Sequence, residues 1–276
     1  MTAHSLNAGV VTRREYKRME LQITVDGLRL DAHLAEPRRS GPVPGVVLCH
    51  GFPTDARGAA TSAATFPQLA DRIARECSWA ALSFTFRGAG GSEGDFSGDG
   101  WKRDVSGAVA ALDARDDVHG VWVIGVREGG TVALCAAATD ERIKGIAILS
   151  APGSLRDVAR DANRLLDEAR GTRLVRTEGF PPDVGAWARE VAALDAVAAA
   201  RRLGDRPLLV LHGSDDRVVP LDDARRIVAA AGPSASLQIV QLAGNRLRHD
   251  PRAVATLLGW LDRQVAFAAP PAQRGE

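Results

Sequence analysis

Residues 17–25 (KRMELQITV) and 28–37 (LRLDAHLAEP) alternate apolar and polar side chains around the dipeptide Asp26-Gly27. A period of two broken by Asp-Gly predicts an antiparallel β-hairpin. Beyond it the pattern changes. The runs at 42–51 (PVPGVVLCHG), 78–86 (SWAALSFTF), 119–125 (HGVWVIG), 143–151 (IKGIAILSA) and 206–213 (RPLLVLHG) are short and continuously apolar. Such runs predict strands covered on both faces, and 236–242 (SLQIVQL) is read as a sixth of the same kind. Helical spacing of apolar residues predicts helices at about 60–76, 100–114, 128–138, 221–231 and 251–266. The last is announced by Asp250 as N-cap and Pro251 at the first helical position. Alternating strands and helices predict an α/β fold, a mostly parallel central sheet flanked by helices on both faces. Right-handed crossovers leave few topologies for it.

One interval interrupts the alternation. Residues 152–205 contain no strand pattern; they carry Leu155, Val158, Ala162, Leu165 and Leu166 at helical spacing, a turn-like Glu178-Gly179-Phe180-Pro181-Pro182, and a further helical run from Ala186 to Leu203. This reads as a small helical cap over the strand ends, inserted into one domain spanning residues 13–268. Residues 1–12 and 269–276 are expected to be flexible tails.

Composition narrows the function classes. The net charge is +1 over 276 residues, without the basic excess of a nucleic-acid binder. No apolar run approaches the ~18 residues of a membrane span, and the N-terminus lacks a signal-like apolar core, so a cytoplasmic protein is expected. Cys49, Cys77 and Cys135 are odd in number and far apart, which suits buried free thiols rather than disulfides or a zinc site. No cofactor or metal motif is present, and nothing in the sequence specifies an oligomeric state.

Ligands of open parallel sheets bind beyond the carboxyl ends of the strands, where four segments stand out. Cys49-His50-Gly51-Phe52-Pro53 follows the first parallel strand. Arg87-Gly88-Ala89-Gly90-Gly91-Ser92 follows the next, but its glycine spacing misses the dinucleotide fingerprint G-x-G-x-x-G. Gly125-Val126-Arg127-Glu128-Gly129-Gly130 joins an apolar strand to an alanine-rich helix. Leu211-His212-Gly213-Ser214-Asp215-Asp216-Arg217-Val218-Val219-Pro220 places acids just past another strand.

In this order and spacing the four segments resemble the α/β-hydrolase fold family, close to its serine esterase, acyltransferase and serine aminopeptidase-like branch. The resemblance covers about residues 20–266. It implies that His50, Gly51 and Phe52 form the oxyanion loop and that Asp216 stands at the triad-acid position. It further implies that residues 125–129 (GVREG) are the nucleophile elbow, a strained strand-to-helix turn. The family's serine would stand at position 127, which is Arg127. The family's histidine would stand in Leu242-Ala243-Gly244-Asn245, at Asn245.

Acyl transfer needs an attacking oxygen or sulfur with a base in reach. Arginine offers neither attack nor proton acceptance, and asparagine cannot shuttle protons. His249 lies four residues from Asn245, ~13 Å along an extended chain, and Cys49 precedes the loop; neither replaces the missing partners. Glu128 contributes its backbone to the elbow, and its side chain is expected to point elsewhere. The expected function is therefore a pseudohydrolase or non-hydrolytic member, with weak or unconventional hydrolysis of esters or amides as the alternative. A buried arginine needs an anion. Two arrangements would supply one: an Arg127–Asp216 ion pair with Asn245 bonded beside it, or a small-molecule carboxylate or phosphate. No sequence feature picks out a protein partner. The cap arginines Arg156, Arg160, Arg164 and Arg170 alternate with acids and read as a solvated face.

Overall fold

A computed structural model describes residues 16–39, 41–53 and 58–268; the two expected tails lie outside the described residues. Eight strands form one sheet: β1 (Tyr16–Val25), β2 (Leu28–Pro37), β3 (Val43–Cys49), β4 (Ala80–Phe84), β5 (Val118–Val126), β6 (Ile143–Leu149), β7 (Leu208–Gly213) and β8 (Ala235–Val240). Their spatial order is β1-β2-β4-β3-β5-β6-β7-β8. The hairpin β1–β2 and the β2–β4 pair are antiparallel, and every later pair is parallel.

Local chemistry sets these elements. Asp26 and Gly27 take φ of 53° and 78°, the two positive values a type I′ hairpin turn requires. β3, β4 and β7 are buried along their whole length, as strands covered on both faces must be. β4 starts at Ala80 instead of Ser78, because Ser78 turns the chain at a φ of 61°. β8 departs from the sequence reading: it is the sheet edge, and Ser236, Gln238 and Ile239 are exposed.

Helices α1 (Gly58–Cys77), α2 (Gly98–Asp113) and α3 (Glu128–Ala137) belong to the first half of the chain. Between β6 and β7 lie α4 (Ala162–Gly171), α5 (Val184–Ala192) and α6 (Ala196–Ala200); α7 (Leu221–Ala231) and α8 (Pro251–Ala268) follow. Aspartates start the three inserted helices: Asp161, Asp183 and Asp195 each accept from the backbone N–H three residues on. Asp250 caps α8 likewise through Arg252 and Ala253 N–H. α1 and α8 cover one sheet face over Val46, Leu48, Ile124 and Leu149. α2, α3, α6 and α7 cover the other over Val47, Val123, Ile146 and Val210. Leu155, Leu165, Leu174 and Trp187 of the insertion join that second core, and Trp187 donates its indole N–H to the Phe96 carbonyl at 2.7 Å. The exposed Arg164–Glu168 pair, 2.9 Å apart, fits the solvated-face reading of the insertion. Among the described residues no helix is long and apolar enough to cross a membrane.

Candidate functional site

Arg127 follows the carboxyl end of β5, and its N–H reaches Leu149 O at the end of β6 at 2.9 Å. This residue holds φ 53° and ψ −128°, a region that costs a non-glycine residue on the order of 1–3 kcal/mol. The turn is tight because β5 must feed α3 directly. A Cβ on Gly129 would strike the His50 carbonyl, and one on Gly125 would strike Gly130 Cα. The geometry is that of an elbow, and the side chain it presents is a guanidinium. Arg127→Gly should therefore raise stability by about 1 kcal/mol, strain relief outweighing the added unfolded-state entropy. Denaturant midpoints at constant slope measure this; an unchanged or lower midpoint refutes it.

Arg127 does not pair with Asp216. Its terminal nitrogen sits 3.2 Å from Glu128 Oε1. The Glu128 side chain, expected to point away, turns back across the cleft, and its Oε2 accepts the Phe52 N–H at 2.9 Å. It packs on Gly51 so tightly that a Cβ there would lie 2.6 Å from Oε2. The amide that the resemblance assigns to an oxyanion is thus occupied by a carboxylate of the chain itself. The reason is local: at the first position of α3 a short acidic side chain satisfies both the adjacent cation and an orphan amide.

Asp216 is held by the Val218 and Val219 N–H groups, each 2.9 Å from Oδ1. Its Oδ2 is buried and unpartnered, 3.7 Å from His212 Nε2. His212 itself bonds the Val219 carbonyl at 3.0 Å. Asn245 is half-exposed and makes none of the hydrogen bonds found among the described residues, so the bond expected beside Asp216 does not form. Its loop is nonetheless tied to the acid loop: Asp215 N–H reaches Ala243 O at 2.9 Å, and Leu242 N–H reaches Ser214 Oγ at 2.8 Å. His249 is exposed. Burial raises the Cys49 thiol far above its usual range, so it is no nucleophile.

His50 buttresses the loop. Its Nδ1 donates to Gly51 O at 2.7 Å, and its Nε2 accepts the Phe86 N–H at 3.1 Å, which fixes the neutral tautomer. Burial pushes its pKa down to about 4, against the Gly51 hydrogen bond that favours the cation. The folded pKa lies below the unfolded value, so the unfolded state binds the extra proton. Stability should fall as pH drops from about 6.5 towards 4, by about 2 kcal/mol between pH 7.5 and pH 5. Denaturation of wild type and His50→Asn across that range checks it; equal slopes would remove His50 as the cause.

The glycine-rich segment after β4 serves the scaffold. Arg87 Nε and a terminal nitrogen meet Asp104 Oδ1 at 2.9 and 2.7 Å, and the Arg87 N–H meets Oδ2 at 2.9 Å. Ser92 Oγ bridges the strands, donating to Thr85 O at 2.6 Å and accepting from Asp31 N–H at 3.0 Å.

Arg248, on a short 3-10 turn after β8, was not singled out in the sequence. Its guanidinium lies 5.0 Å from the Phe66 ring centroid. Burial, then Arg246, then Arg127 lower its pKa. Only the Arg-Leu-Arg run at 246–248 hinted at it. Among the described residues, five of the seven buried side-chain atoms without a hydrogen-bond partner belong to Arg127, Ser150, His212, Asp216 and Arg248, all at this end of the sheet. Native proteins rarely leave such groups unpaired, and they concentrate at working sites. Next to Phe52 a cavity of about 460 Å³ opens under α4, lined by Phe96, Leu165, Ala169 and Leu174.

No protein-family model matches the chain, and no curated protein matches it. Solved structures do. A DcsB structure with a substrate analogue aligns at a TM-score of 0.70 and 16% identity, over 91% of this chain and 100% of that one. Est1E from Butyrivibrio proteoclasticus with ferulic acid bound aligns at 0.69 and 18%, over 90% and 98%. The α/β hydrolase GrgF from Penicillium sp. sh18 aligns at 0.67 and 18%, over 92% and 98%. Likenesses this distant in sequence establish the fold, and the chemistry rests on the residues present.

Proposed function

We propose that this chain, an α/β-hydrolase fold with arginine at the elbow, is a pseudohydrolase that binds an anionic small molecule in the former catalytic cleft. The observation that carries the reading is the contact of Glu128 with both Arg127 and the Phe52 N–H. A serine hydrolase needs a nucleophile, a base and an open oxyanion site. At this elbow the first is a guanidinium, the second is asparagine in the loop beside the acid, and the third holds a carboxylate. The same contact speaks for anion binding, because the cleft already hosts one carboxylate on a guanidinium and an amide. Est1E, a neighbour in fold, was solved with ferulic acid bound. The free thiols of Cys49, Cys77 and Cys135 accord with a reducing, cytoplasmic setting.

Thermal-shift screening against carboxylates and phosphates tests the reading. A ligand at a hundred times its Kd stabilises by about 2.7 kcal/mol. The melting temperature should rise with at least one anion and stay flat with chloride at matched ionic strength. No rise with any anion would defeat the reading.

A further inference from the structure

Arg127 and Arg248 differ in how their charge is met. Glu128 compensates Arg127, leaving its Nε buried and without a partner. Arg248 has no acidic partner among the described residues, and its Nε is likewise buried and unpartnered. Arg246, close by in sequence, is exposed and solvated. Asp216 is committed to the Val218 and Val219 amides. An unpaired guanidinium partly withdrawn from water is costly, and the fold sets this one over the buried Phe66 ring. A chain of contacts links the two arginines. Arg127 stands at the start of α3, whose Gly129 packs against the His50 backbone. The His50 ring lies 6.2 Å from Phe66, and Arg248 covers Phe66.

We propose that Arg248 is the second arm of a carboxylate site, and that the ligand is an apolar carboxylic acid bridging Arg127 and Arg248 with its hydrocarbon body in the cavity between Phe52 and α4. This rests on the reading of the cleft as an anion site. Arg248 is a half-buried cation with no acidic partner among the described residues, and one carboxylate would supply the missing negative charge. A carboxylate between guanidinium groups is the charge-assisted pairing that arginine geometry favours. The cavity lining of Phe52, Phe96, Leu165, Ala169 and Leu174 offers burial for an aryl or alkyl chain.

The test is calorimetric titration of the full chain with 3-phenylpropanoate, its amide 3-phenylpropanamide, acetate and inorganic phosphate. The phenylpropanoate should bind, and the amide should bind at least about tenfold more weakly. Arg248→Met keeps a side chain over Phe66 without the charge and should weaken the carboxylate about tenfold or more. Arg246→Met should change it less than about twofold, as an exposed charge does. Leu174→Trp fills the cavity and should weaken phenylpropanoate while sparing acetate. Circular dichroism and melting curves establish that each variant is folded; if Arg248→Met fails to fold, Arg248→Lys and the amide comparison carry the test. Carboxylate binding unchanged by either Arg248 substitution overturns the proposal and leaves the anion-site reading standing. Phosphate binding tighter than phenylpropanoate overturns the carboxylate assignment. Failure of every anion to bind defeats the anion-site reading and this proposal with it.

Discussion

Purified protein should turn over p-nitrophenyl acetate no faster than buffer, and the double substitution Arg127→Ser with Asn245→His should not repair it. Restoring nucleophile and base leaves the Phe52 N–H bonded to Glu128 Oε2 at 2.9 Å. The tetrahedral intermediate would then develop its negative charge beside a carboxylate instead of a free donor. Loss of a single oxyanion donor costs about 10²–10³ in rate. A triple variant that adds Glu128→Ala should therefore exceed the double by about a hundredfold or more. Burst and steady-state kinetics on short p-nitrophenyl esters measure this. A double variant as active as the triple would show that Glu128 does not block the site. Parent turnover surviving both Arg127→Ala and Asp216→Ala would place catalysis elsewhere on the molecule.

The largest stability loss is expected at Asp104. Its side chain is fully buried and meets Arg87, itself 7% exposed, through both carboxylate oxygens. Asp26 completes the arginine's bonding at 2.8 Å from the β1–β2 turn. Asp104→Ala strands a buried guanidinium and unties the loop after β4 from both α2 and the hairpin. Breaking one side of such a pair costs about 3–5 kcal/mol, or about 10 °C in Tm for a chain of this size. Arg103 meets the same Asp26 but is half-exposed, so Arg103→Ala should cost less than about 1 kcal/mol. Urea denaturation of the two variants decides the matter; equal losses would mean that the buried pair carries no special weight.

These two sites show where sequence suffices and where it does not. The hairpin, the buried strands, the N-cap of α8 and the elbow glycines were legible because each follows from local rules: periodicity, turn stereochemistry and the space a Cβ would need. So were Arg127 and Asn245 at the positions where the resemblance expects serine and histidine, two side chains that can neither attack a carbonyl nor shuttle a proton. The edge position of β8 was not legible. An apolar hexamer reads alike whether one or two strands flank it. Nor was the anion for Arg127, where the distant Asp216 was the apparent choice and the adjacent Glu128 is the observed one.

The sequence by itself determined the fold class, because backbone preference and burial pattern are written locally along the chain. Tertiary structure alone decided where the charges go. It turned Glu128 back onto the Phe52 amide, assigned Asp216 to backbone N–H groups, and set Arg248 over Phe66 without an acidic partner among the described residues. Ion pairing depends on distances of a few ångströms between side chains brought together from separate elements, and no spacing along the chain encodes them.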